Sequence, residues 1–126
     1  MPATGSGVGS KVIVQAGSTF TEPATANFTG LLDLESGSTL VELNPTPAVT
    51  FGSVNAASTI EYAQATTYTV PLLPVTGGPG YGNLTLRNAT KRLATGTSVV
   101  RGNLLVSNVG ATDSNIFGGA TTPTYP

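Results

Sequence analysis

The sequence predicts an all-β fold: a right-handed parallel β-solenoid with about 20 residues per coil. Three observations predict it. Gly17-Ser18-Thr19-Phe20 is answered by Gly37-Ser38-Thr39-Leu40 and again by Ala57-Ser58-Thr59-Ile60, each at the same step. An unrelated pair keeps that step, since Gly82-Asn83-Leu84 returns as Gly102-Asn103-Leu104. Residues one step apart also form apolar columns, as a stacked core requires. One column is Val14, Leu34, Val54; another is Phe20, Leu40, Ile60, with Val100 two steps on; later ones pair Leu84 with Leu104 and Leu86 with Val106. Polar columns run beside them: Ser18, Ser38, Ser58 and Thr19, Thr39, Thr59. Their hydroxyls are expected to bond in ladders between neighbouring strands.

Each element follows from local chemistry. Lys11 to Val14 reads as a first strand closed by the turn Ala16-Gly17, and Ser18 to Glu22 as a second, ended by Pro23. Phe28 to Leu34, Thr39 to Leu43, Val49 to Val54 and Ser58 to Tyr62 repeat the pattern, with Asn44-Pro45-Thr46-Pro47 as a loop. Tyr68 to Val70 is strand-like. Pro71 to Gly80 holds three prolines and three glycines and reads as an insertion in one coil. Strands resume at Asn83 to Leu86, Lys91 to Leu93, Ser98 to Val100 and Asn103 to Val106. No segment carries the i, i+3, i+4, i+7 spacing of an amphipathic helix. The domain organisation is a flexible leader over 1–10, a solenoid over 11–112 and a Gly/Thr/Pro-rich tail over 113–126, whose Ile116, Phe117 and Tyr125 could cover an open core.

Composition narrows the function. The 126 residues fit one domain, and charged residues are only 9%, against about a quarter in ordinary globular chains. Cys and His are both absent, which removes disulfides, thiolate chemistry and the commonest general base and metal ligand. A net charge of -1 argues against nucleic acid held by phosphate contacts. The apolar run Val70 to Val75 is broken by two prolines and is too short to span a membrane. Met1 to Ser10 lacks the apolar segment of a signal peptide. No catalytic residue, metal ligand or cofactor site is expected.

Several side-chain groups are candidates for chemistry. Asp33 and Glu35 alternate on one strand and could be an acid–base pair or a Ca²⁺ site; two charges on a solvent face is the plainer expectation. Glu22 and Glu42 lie one step apart and are expected to be a simple exposed pair, with a shared cation as the alternative. Arg87, Lys91, Arg92 and Arg101 could bind an acidic glycan or another subunit; solubilising charge is expected instead. Asn27, Asn83 and Asn88 begin Asn-X-Thr sequons, a pattern that chance supplies in so Asn- and Thr-rich a chain.

The stretch from Ser58 to Ser107 resembles the β-strand repeats of large secreted surface proteins of Bacteroidetes-type bacteria, parallel β-helices shaped like filamentous-haemagglutinin-like adhesins. The residues that carry the resemblance are Ser58-Thr59-Ile60-Glu61-Tyr62, Tyr68-Thr69-Val70-Pro71, Tyr81-Gly82-Asn83-Leu84-Thr85-Leu86, Lys91-Arg92-Leu93-Ala94 and Val100-Arg101-Gly102-Asn103-Leu104. The Pro71 to Gly80 segment is longer than the connection usual in that family. The resemblance implies a secreted structural or adhesive role at the cell surface and brings no catalytic residues.

The expectation is therefore an extracellular structural protein, a unit of a surface filament, stalk or adhesin. Residues 1–63 hold five acids against Lys11, and residues 64–126 hold four basic residues against Asp113, so head-to-tail contact between copies is expected. A homo-oligomer or filament through the solenoid ends is the expected partner state, with a surface glycan as a further partner. The alternative is a carbohydrate- or ice-binding module using the Ser/Thr face.

Overall fold

The computed structural model describes residues 11–74, 76–108 and 115–116, with side chains over 11–74 and 76–107. The leader over 1–10 and the tail residues Phe117 and Tyr125 lie outside the described residues. Eleven strands are described: β1 (Lys11–Val14), β2 (Thr19–Glu22), β3 (Leu31–Leu34), β4 (Thr39–Glu42), β5 (Thr50–Val54), β6 (Thr59–Tyr62), β7 (Tyr68–Val70), β8 (Asn83–Asn88), β9 (Lys91–Leu93), β10 (Leu104–Asn108) and β11 (Asn115–Ile116). They form three sheets, β1-β3-β5, β10-β8-β6-β4-β2 and β11-β9-β7, and every pairing is parallel. The protein is an all-β parallel β-solenoid of about five coils.

The repeat becomes register. Thr19 lies beside Thr39 and Thr39 beside Thr59; Phe20, Leu40 and Ile60 stack; Val14, Leu34 and Val54 stack in the first sheet. Interior columns alternate with solvent columns, as the two-residue period of a strand requires. Leu32, Leu40, Ile60 and Leu86 are fully buried, and each such side chain stabilises by about 1.5–3 kcal/mol.

The expected insertion is real and shifts the phase. Thr59 pairs with Asn83, four positions beyond the repeat, so the residue that follows Ile60 in its column is Leu84, and then Leu104. Val100 does not join that column. It makes an isolated bridge with Tyr81, and 98–100 is not a strand. A second irregularity lies in β5, where Gly52 and Ser53 make the register slip against β3. Phe28 is buried but precedes its strand, and Asn115–Ile116 pairs with Lys91 and Arg92 although sequence reading leaves it in the tail.

The turns explain the Gly-Ser-Thr motif. Gly17 and Gly37 sit at φ 75° and 73°, a left-handed conformation that costs an L side chain about 1 kcal/mol or more. Ser38 and Ser58 are buried and donate their hydroxyls to Glu35 O and Asn55 O of their own turns, each at 2.7 Å. These two serines therefore lock their own turns and do not form the expected ladder. Between coils the backbone carries the ladder, with Thr39 N–H on Ser18 O and Thr59 N–H on Ser38 O, both at 2.9 Å.

Candidate functional site

The residues singled out for chemistry are placed mostly in structural roles. Asp33, half-buried on β3, pairs with Lys11 at 2.6 Å and accepts the Ser53 N–H at 2.9 Å. The Lys11 hydrogen bond, helped by that N–H, holds its carboxyl below the usual range. Glu35 lies past the strand end and accepts the Ala16 N–H of the coil below at 3.1 Å. Each acid ties one coil to another, and the two share no acid–base geometry. Breaking the partly exposed Lys11–Asp33 pair with Lys11→Ala is expected to cost under about 1 kcal/mol, read by urea denaturation.

Glu22 and Glu42 are not an exposed pair. They are in register on β2 and β4, and both face the solenoid interior with 1% and 0% exposure. The column continues as Tyr62 and Leu86. Glu22 Oε1 accepts the Phe28 N–H at 2.8 Å and Glu42 Oε1 the Asn44 N–H at 3.0 Å. The two Oε2 atoms are buried without a hydrogen-bond partner. Burial, with the adjacent Glu22 carboxyl adding to it, pushes Glu42 up to about 9. Glu42 therefore holds a proton at neutral pH, which lets its carboxyl face that of Glu22 without two buried charges.

Above this pair lies an aromatic box. Tyr62 stacks on Tyr68 with ring centroids 5.4 Å apart and meets Tyr81 edge-on at 6.3 Å. Tyr81 OH donates to Pro71 O at 2.7 Å, so the Tyr62 hydroxyl donates to Tyr81 at 3.2 Å. Burial raises all three phenols, Tyr68 to about 12. They are hydrogen-bond donors at any physiological pH and not bases.

The basic residues do not form one exposed patch. Lys91 is fully buried, and its ammonium donates to Gln64 O at 3.0 Å and Ala89 O at 2.8 Å. Arg87 pairs with Glu61 of the preceding coil. Arg101 donates to the carbonyls of Tyr81, Val54 and Gly80. Only Arg92 extends from an exposed position without such a bond among those described. One pair of the charge split between the halves is closed within one copy, since Glu61 and Arg87 come from opposite halves and bind each other.

The sequon asparagines are also engaged. Asn27 donates its amide to Thr46 O, Asn83 to Ser58 O and Asn88 to Ala63 O, each on an adjacent coil. Sequence reading missed this stapling role. Its signal is the Asn44, Gln64, Asn88 succession, one amide per coil along β4, β6 and β8, of which Asn44 and Asn88 donate to the adjacent coil at Ala26 O and Ala63 O, while both amide atoms of Gln64 are buried without a partner.

At the N-terminal end a depression of about 450 Å³ opens beside Phe20, Glu22, Pro23, Asn27 and Phe28. Phe20 and Phe28 meet edge-on there with ring centroids 5.8 Å apart. Among the described residues no three His, Cys, Asp or Glu side chains converge as a metal site, and no helix is long and apolar enough to cross a membrane. Among the described residues the outermost strands β2 and β10 of the central sheet each have one neighbour, as do β1 and β11 in the two smaller sheets. Comparison of the chain with protein-family models, with curated proteins and with solved structures finds no match.

Proposed function

We propose that this chain is a structural unit of an extracellular bacterial surface filament, stalk or adhesin, and that it assembles end to end. The observation that carries the reading is the central sheet. Its five parallel strands run through every coil, and its outermost strands, β2 and β10, each have one neighbour in the sheet among the described residues. Open edges of this kind invite further strands. Many of the charged groups are meanwhile engaged within one copy: Glu22, Glu42 and Lys91 are buried, and Asp33, Glu61 and Arg87 are paired on its outer face. The resemblance of Ser58 to Ser107 to secreted repeat proteins supports the surface placement. The alternative of a sugar- or ice-binding Ser/Thr face loses support, because Ser38 and Ser58 are buried and Thr39 and Thr59 are only half-exposed.

Negative-stain electron microscopy of the purified chain, across salt and concentration, tests this reading. Thin unbranched fibres that lengthen with concentration and persist in high salt are expected, because the edges bind by backbone bonds and apolar contact. Isolated particles at every concentration and salt would overturn self-assembly.

A further inference from the structure

End-to-end assembly, on which this inference rests, has one joint that the strand edges support. Among the described residues only the central sheet presents a strand edge at both ends of the solenoid, since the first sheet stops at β5 and the third begins at β7. The two edges differ in which residues they leave open. In a parallel strand, successive residues turn their N–H and C=O groups to opposite sides. Thr39 N–H bonds Ser18 O and Leu43 N–H bonds Glu22 O, so Ser18, Phe20 and Glu22 face β4. Thr19 and Thr21 therefore turn their backbone groups out of the N-terminal end. At the other end Leu84 N–H bonds Asn103 O, so Asn103 and Leu105 face β8, and Leu104 and Val106 turn theirs outward.

This is the phase of every internal step. Within the rod, Leu40 is bracketed by Thr59 and Glu61 of the next strand, and Ile60 by Asn83 and Thr85. Placed on a second copy, Leu104 is bracketed by Thr19 and Thr21 in the same way. Side chains agree with backbone. Leu104, Leu105 and Val106 are 45%, 56% and 43% exposed, an unusual apolar run on a surface edge. Leu104 ends the column that begins at Phe20, and Val106 ends the one that begins at Glu22. The depression beside Phe20 opens at the end where Leu104 would stack, while the Glu22 side chain is already covered.

We infer that β10 of one copy adds to β2 of the next, with Leu104 beside Phe20, Leu105 beside Thr21 and Val106 beside Glu22, so that the five-stranded sheet continues across the joint. The occupant of each edge is a second copy of this chain. The contact is continuous with the inter-coil ladder already built, and it is heterologous, so it propagates as a fibre.

The chain has no cysteine, which makes cross-linking clean. Thr21→Cys with Leu105→Cys puts one thiol on each edge, both on exposed positions. Across the joint their Cα atoms lie about 4.8 Å apart, inside the disulfide range, while in one copy four strand spacings, about 19 Å, separate them. Mild oxidation of the full chain is expected to give a ladder of covalent oligomers that collapses on reduction. Either single variant gives no ladder beyond a dimer. The shifted pair Thr19→Cys with Leu105→Cys, two residues along and one strand across, lies about 8 Å apart, beyond that range, and cross-links more slowly. Leu104→Lys in the cross-linking background retains the β circular-dichroism spectrum and loses the ladder. Dominant dimers from a single variant, an equally fast shifted pair, or a ladder that survives Leu104→Lys would each overturn the register. Fibres by microscopy without any ladder would overturn this joint and leave the structural reading standing; absence of both removes the two together.

Discussion

Glu42→Gln is expected to stabilise the protein at neutral and alkaline pH and to flatten its stability against pH. The cause is the buried column in which Glu22 and Glu42 stand one strand apart, each with Oε1 on a backbone N–H and Oε2 unsatisfied. Burial raises the Glu42 carboxyl from an ordinary 4.5 to about 9. A raised value fixes the sign. The folded protein keeps its proton while the unfolded chain releases it, so the contribution is whole below pH 4.5 and is lost progressively as pH rises towards 9. The slope reaches at most about 1.4 kcal/mol per pH unit. Between pH 5 and pH 7 the wild type is expected to lose about 2 kcal/mol, a fall in Tm of roughly 10 °C. Asp33 works in the opposite direction, since its lowered value makes stability fall only as pH drops below the ordinary 3.8; the window above pH 5 therefore isolates Glu42. A glutamine amide donates an N–H towards Glu22 without needing a proton. Thermal melts from pH 5 to pH 9 read both chains. A flat wild-type profile, or a Glu42→Gln profile as steep as the wild type, contradicts a Glu42 carboxyl raised by burial.

Gly82→Ala is expected to be among the most damaging single-atom additions in the chain. A Cβ on Gly82 would lie 2.5 Å from the carbonyls of Asn55 and Ser58 and 2.9 Å from that of Ala56. These are backbone atoms of the turn one coil below. They cannot retreat without disturbing the Ser58 N–H bond to Asn55 O and the Asn83 N–H bond to Ser58 O. The cost is expected to be about 3 kcal/mol or more, with a Tm lower by at least roughly 10 °C. Gly17→Ala is the informative contrast. Gly17 has open space around it and only its φ of 75° to pay for, so about 1 kcal/mol is expected. Equal losses in the two variants would mean that coil-to-coil approach at Gly82 is looser than the structure places it.

The architecture was legible because stacking imposes the same environment on residues one coil apart, and such sameness is visible without alignment. The columns from Val14 and from Phe20 follow directly. The phase was lost where Pro71 to Gly80 adds residues: a fixed step carries Ile60 to Gly80 and Val100, whereas the chain carries it to Leu84. The buried acids were hidden because a carboxylate on a strand ordinarily faces water. Yet the clue was present. Leu86 and Val106 are legible as an apolar column, and following that column down through Tyr62 leads to Glu42 and Glu22. Lys91 is a similar case, since it shares a column with Tyr68 and turns inward while Arg92 turns out. Ion pairs such as Arg87 with Glu61 depend on the inserted residues and so could not be placed from the repeat alone.

Methyl-to-methyl NOE spectroscopy tests the stacked register most directly. With the coils in this register, the Ile60 methyls are expected to give cross-peaks to Leu40 and to Leu84 at once, Leu34 to do the same with Val14 and Val54, and Ile60 to give none to Val100. Strong Hα-to-Hα contacts between adjacent strands, the mark of antiparallel pairing, or an Ile60 that meets Val100 in place of Leu84, would contradict the solenoid and everything built on its open edges.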